Sequence, residues 1–174
     1  MTAGSASVHA SAVLVENRAV LIRGPSGAGK SRLAFDLILA GRTGQIPPAV
    51  LVGDDRVHLE ACEGQVVVRP APALAGLIEI RGLGIRRCAF AGQAIVGLVV
   101  DLSAADAERL PAPESLLTQI YGISIPRIPV GQGYAPLPLI LAALTTTAGT
   151  ASGPSADDCL KGIGNHMMSS IATE

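Results

Sequence analysis

The chain has 174 residues, 49% of them hydrophobic, and a formal charge of −1 at pH 7. That length suits one domain with a real core, and a charge so near zero removes any electrostatic case for binding nucleic acid. Trp is absent and Phe and Tyr number two each, so the core must be aliphatic. No apolar run approaches the roughly 20 residues that cross a bilayer, so no membrane association is expected. Met1 to Ser7 has neither the basic nor the apolar stretch of a secretory leader. Cys62, Cys88 and Cys159 are widely spaced, which suits reduced thiols in the cytoplasm.

In chain order, Val8 to Val15 reads as a first strand, with Glu16-Asn17-Arg18 as a turn into the apolar run Ala19-Val20-Leu21-Ile22. Next comes Gly24-Pro25-Ser26-Gly27-Ala28-Gly29-Lys30-Ser31, which satisfies G-x-x-x-x-G-K-[ST], a phosphate-binding loop. The hairpin would put His9 beside this loop, although a lone His is more often a surface or core residue. Leu33, Ala34, Leu37 and Ile38 fall at helical spacing behind the loop. Strand, glycine-rich loop and helix are what nucleotide binding needs. The glycines let backbone N–H groups approach phosphate oxygens, and the helix N-terminus favours an anion. Lys30 supplies charge for the outer phosphates, and Ser31 a hydroxyl for Mg²⁺.

The loop helix is expected from Lys30 to Ala40, with Gly41 as its C-cap. A connection through Gly44 and Pro47-Pro48 leads to a buried strand, Ala49 to Gly53, that ends in Asp54-Asp55-Arg56. Carboxylates after such a strand are where a nucleotide enzyme keeps a metal ligand or a base. Alternation along a strand means the two aspartates should not do the same job. Val57 to Leu59 and Gln65 to Arg69 form a hairpin pattern around Glu63-Gly64. Leu77 to Ile85 sets Glu79 and Arg81 in an apolar segment with Gly82 and Gly84. Buried charges there would have to pair with each other or face a ligand, and the glycines favour a ligand-facing loop.

Ala94 to Leu102 reads as another strand, and Ser103 to Asp106 as a helix start that Pro111 and Pro113 cut short. Tyr121 to Val130 carries two prolines and suits an edge strand or extended loop. Leu137 to Leu144 suits a helix. The polar, Gly- and Ser-rich composition after it predicts a catalytic domain over residues 1–148 and a flexible or weakly helical tail over 149–174. So many strands after residue 50 exclude a regular βαβ alternation. The expected fold is mixed α/β: a mixed sheet with helices gathered on one side.

Four motifs in order resemble the catalytic domain of the bacterial HPr kinase/phosphorylase: His9, Gly24-Pro-Ser-Gly-Ala-Gly-Lys-Ser31, Asp54-Asp55-Arg56-Val57, and Glu79-Ile-Arg-Gly-Leu-Gly-Ile85. Glu108-Arg109-Leu110 adds a weaker match, and the resemblance covers roughly residues 8 to 145. It implies the short form without the family's N-terminal domain, and a sheet curling toward a barrel as in phosphoenolpyruvate carboxykinase. The implied activity is ATP- and Mg²⁺-dependent phosphorylation of a serine on the phosphocarrier protein HPr, by a homo-oligomer, often a hexamer. Many members also remove that phosphate by phosphorolysis, releasing pyrophosphate.

Carried over, Lys30 would hold the β- and γ-phosphates, and Ser31 and Glu79 would bind Mg²⁺. One aspartate of the pair, Asp55 in preference, would accept the serine proton. His9 and Arg109 match active-site positions. Arg32 stands where the family commonly has an acid, and Thr43 to Pro48 lengthens the link to Asp54. The family's Pro-Val-Arg-Pro-Gly-Arg-Asn becomes Pro129-Val-Gly-Gln-Gly-Tyr-Ala135, without either arginine. The kinase reaction should therefore survive and phosphorolysis should be weak or absent. A P-loop kinase for a small metabolite and a catalytically silent nucleotide-binding module are the competing readings.

Overall fold

The chain's first apolar run does not form one strand. The structure, a computed structural model that describes residues 6–149, divides it into β1 (Ala6–Val8) and β2 (Ser11–Val15), broken at His9 and Ala10. The break hands the chain from one side of the fold to the other. β1 pairs with β5, whereas β2 lies between β3 and β4, where β3 is Arg18–Arg23, β4 Ala49–Gly53 and β5 Val57–Cys62. The rest are β6 (Gln65–Pro70), β7 (Leu77–Ile80), β8 (Gly84–Arg87), β9 (Ala94–Leu102), β10 (Leu117–Ile120) and β11 (Ile123–Val130). Helices α1 (Lys30–Arg42) and α2 (Pro136–Thr145), with 3-10 turns at Pro72–Leu74 and Pro113–Leu116, complete the described elements.

Nine strands make one mixed sheet in the order β1-β5-β6-β9-β3-β2-β4, with β11 joined to β9 and β10 to β11; β7 and β8 form a separate hairpin. β9 pairs parallel with both β3 and β11 through Val99 and Val100, which makes it the central strand. Its apolar residues divide between two cores. Leu98, Val100 and Leu102 join Leu33, Leu37 and Ile38 of α1 and Ile140 of α2 on one face. Val96 and Val99 join Leu21, Val57, Leu59, Val66 and Val68 on the other, a core to which neither helix contributes a buried residue. Each fully buried Leu or Val is worth about 1.5–3 kcal/mol relative to exposure. The parity of β9 changes at Gly97, the extra residue where the β3 register shifts. A Cβ at Gly97 would lie 2.7 Å from Arg18 Cβ, so the bulge requires glycine.

Several sequence expectations are corrected. Gly41 is not the helix C-cap. α1 runs to Arg42, and Gly41 instead lets the helix touch β4, since its Cβ would meet Ala49 N at 2.6 Å. Ser103 to Asp106 starts no helix. Ser103 adopts a left-handed φ of 58°, and the segment to Leu116 holds only a short 3-10 turn, Pro113–Leu116. Leu77 to Ile85 is a hairpin in which Ile78 is buried while Glu79 and Arg81 are exposed, so the alternative of a buried pair between them does not hold. β11 pairs with β10 along its first half and with β9 along its second, so each proline has a strand neighbour on one side only. The expected tail falls mostly outside the described residues.

Candidate active site

β3, the loop 24–29 and α1 follow one another without a break. Gly24, Gly27 and Gly29 have φ of 149°, 79° and 96°, values that disfavour any side chain. A Cβ at Gly27 or Gly29 would meet nothing within 4 Å, so those positions border open space; one at Gly24 would lie 3.0 Å from Leu102 Cβ. Gly24 thus lets the loop pack on the end of β9. Gly29 caps α1 without a side-chain acceptor, leaving the first-turn amides of the helix open to an anion. Lys30 is buried, and its Nζ donates to the carbonyls of Gly24 at 2.9 Å and Pro25 at 3.0 Å. Burial lowers its pKa, and the negative charges of Asp55 and Asp54 oppose that shift.

The two aspartates that follow β4 diverge, as the sequence predicts, but through the left-handed backbone of Asp55 rather than through strand alternation. Asp54 is 3% exposed and acts as the hub. Its Oδ1 accepts the hydroxyls of Ser31 at 2.9 Å and Ser11 at 2.5 Å, and its Oδ2 accepts the Glu79 backbone N–H at 3.1 Å. Asp55 takes a left-handed φ of 64° and turns to the surface, with Oδ1 3.1 Å from His9 Nε2. Short polar residues tolerate this region best, and such outliers concentrate at functional sites. The break between β1 and β2 is what delivers His9 to Asp55.

His9, Lys30, Ser31, Asp54 and Asp55 therefore assemble, and Glu79 joins through its main chain. The Glu79 carboxylate makes no hydrogen bond or ion pair among the described residues. Arg109 is exposed and, among the described residues, contacts none of these groups through a hydrogen bond or ion pair. Ser11 escaped the sequence reading. Its signal was a hydroxyl two residues from His9 inside an apolar strand. Among the described residues no three His, Cys, Asp or Glu side chains gather as metal ligands. A Ser hydroxyl joined to one carboxylate, beside an open phosphate cradle, still fits Mg²⁺, which keeps several waters and takes phosphate oxygens as ligands.

A second charge cluster lines an open cleft of about 440 Å³. Asp101 accepts Arg23 Nε at 2.6 Å and Nη2 at 2.7 Å, and Arg127 Nε at 2.5 Å. Arg127 also grips Asp106 with both Nη atoms, at 2.6 and 2.9 Å. Burial raises the Asp101 pKa, but the hydrogen bonds of Arg23 and Arg127 outweigh it and hold the carboxyl below the usual range. These charges satisfy one another, and none of Lys30, Ser31, Asp54 or Asp55 lines the cleft.

Residues 1–161 match the model of the HPr serine kinase C-terminal domain. The chain is 38% identical over 141 residues to the HPr kinase/phosphorylase of Enterococcus faecalis, covering 73% of this chain and 43% of that protein. It is 40% identical over 81 residues to that of Mycoplasma mycoides, covering 47% and 24%. The chain thus spans less than half the length of these curated relatives. The solved structure of the Hpr(Ser) kinase/phosphatase from Coxiella burnetii superposes with a TM-score of 0.63 at 28% identity, covering 80% of this chain and 93% of that one. With the matched model running over most of its length, this chain belongs to the HPr serine kinase C-terminal domain family.

Proposed function

We propose that this protein is a cytoplasmic, ATP- and Mg²⁺-dependent kinase that phosphorylates a serine of an HPr-type phosphocarrier, with phosphorolysis weak or absent. The observation that carries the reading is the Asp54 carboxylate joined to the Ser31 hydroxyl at 2.9 Å, with Lys30 beside it and Asp55 exposed next door. Family membership supports HPr as the protein substrate. Assembly as a homo-oligomer and a carboxykinase-like sheet belong to the same proposal.

In this reading the loop 24–29 and the first turn of α1 hold the nucleotide phosphates. Lys30 exchanges two neutral carbonyl acceptors for phosphate oxygens, a stronger charge-assisted contact. Ser31 and Asp54, with Glu79 at the edge, would hold the cation, which when bound would supply charge neutralisation to the phosphate oxygens. Asp54 has its oxygens engaged by three donors, whereas Asp55 is engaged only by His9 among the described residues. Asp55 is therefore the group that takes the serine proton, and His9 holds its Oδ1 while that happens. The segment Gly131-Gln132-Gly133-Tyr134 offers no cation for free phosphate, which underlies the weak reverse reaction.

A small-metabolite kinase would need a polar acceptor pocket at Asp55. The 440 Å³ cleft does not meet that need, because its lining excludes Asp55 and its charges are mutually paired. The test is transfer of label from γ-labelled ATP to purified HPr in the presence of Mg²⁺. Label on an HPr serine establishes the reading; tight ATP binding without transfer to HPr overturns it.

A further inference from the structure

Ser11 is the only polar side chain of β2 and is fully buried. A buried hydroxyl must find an acceptor, and it commonly does so on nearby backbone. Ser11 instead reaches Asp54, 43 positions along the chain, at 2.5 Å. The torsion that orients an Asp carboxyl is soft, with no sharp rotamer of its own, so its direction must be imposed from outside. Three donors impose it here, each from a different element: Ser11 of β2, Ser31 of α1 and the Glu79 amide of β7.

We infer that Ser11 is a positioning residue that fixes the Asp54 carboxylate so that Oδ1 holds the Ser31 proton and the Ser31 lone pairs stay free for a cation. The inference rests on the proposed role of Ser31. A hydroxyl has one proton and two lone pairs. Committing the proton to Asp54 leaves both lone pairs available, whereas a rotated carboxylate would release the proton to compete for that side. Ser11 opens β2 two residues after His9, so one short stretch holds both aspartates: Asp54 through Ser11 and Asp55 through His9.

The test measures ADP affinity with and without Mg²⁺, alongside thermal stability, for wild type, Ser11→Ala, Ser11→Cys and Ser11→Thr. The expected result is that Ser11→Ala reduces the Mg²⁺-dependent gain in ADP affinity by about tenfold, the order seen when a partner of a metal ligand is removed. Metal-free ADP affinity should be unchanged, and Ser11→Thr, which keeps the hydroxyl, should restore the gain. Ser11→Cys is nearly isosteric with a weak donor and should behave as Ser11→Ala does, which covers the case of a poorly folded alanine variant. In an Asp54→Asn background, Ser11→Ala should have no further effect on the gain. An unchanged gain in Ser11→Ala and Ser11→Cys, or equal losses with and without Mg²⁺ that track thermal stability, would overturn the role. A wild-type protein whose ADP affinity ignores Mg²⁺ would instead overturn the cation reading on which Ser11 depends.

Discussion

Two charged clusters sit at strand ends, one at the end of the central β9 and one just after β4 at the sheet's edge, and they use their charges differently. Around Asp101, carboxylates meet guanidinium groups directly: Arg23, Arg127 and Asp106 pair until little charge is left over. Around Asp54, a buried carboxylate meets hydroxyls and an amide, while Lys30 meets carbonyls and Asp55 meets a histidine. Among the described residues no Lys or Arg neutralises either aspartate by direct contact. Burying charge without an ionic partner costs free energy, so a protein that does so needs a use for the charge. The first cluster ties β3, β9, β11 and the 103–116 segment together. The second, in the proposed reading, keeps its charges for a ligand. The cleft of about 440 Å³ belongs to the first, and its lining holds none of Lys30, Ser31, Asp54 or Asp55.

The comparison can be broken most sharply at Lys30. Lys30→Ala removes the charge proposed for the phosphates and should lower label transfer by roughly 10³-fold, the order found when a transition-state donor is lost. Intact transfer in that variant would end the distinction between the clusters. Asp101→Asn should do the reverse: activity per folded molecule stays as in wild type, while stability falls by on the order of 3 kcal/mol because two arginines lose their shared partner. Denaturant titration reads the loss. The same variant tests pH dependence. The Asp101 carboxyl is depressed in the fold, so its contribution is fully present above its unfolded pKa of about 4 and is lost as pH falls through the lower folded value. Asp101→Asn should flatten the acid limb of stability there. Least affected should be Arg32→Ala. Arg32 pairs with Asp36 at 3.8 Å on an exposed face, which predicts a change within about 0.5 kcal/mol.

What could be read from the sequence was local. β3, the glycine loop and α1 are contiguous, so their spacing carries their geometry. The hairpin of β5 and β6 was legible for the same reason: Glu63 and Gly64 take left-handed φ of 49° and 75° between Cys62 and Gln65, which pair with each other. The pair Asp54-Asp55 announced itself by following a buried strand. Contacts distant in sequence did not. Ser11 meets Asp54 across 43 positions and Arg23 meets Asp101 across 78, and no periodicity records such meetings. At Glu79 and Arg81 the sequence left a buried pair as the alternative to a ligand-facing loop; the β7–β8 hairpin leaves the sheet and buries only Ile78 among its strand residues, so the two charges are exposed and unpaired with each other. The absent helix after Ser103 has a tertiary cause as well: Arg127 grips Asp106 and the Ser115 carbonyl and so ties both parts of the segment to β11.

The central claim is that the Asp54 cluster performs phosphoryl transfer with Asp55 as the base. Asp55→Asn tests it most directly when label transfer to HPr and ATP affinity are measured on the same preparation. The account predicts a loss of turnover of about 10³-fold, within the range for a general base, with ATP affinity nearly unchanged. Turnover close to wild type, or turnover and ATP affinity falling together, would contradict it.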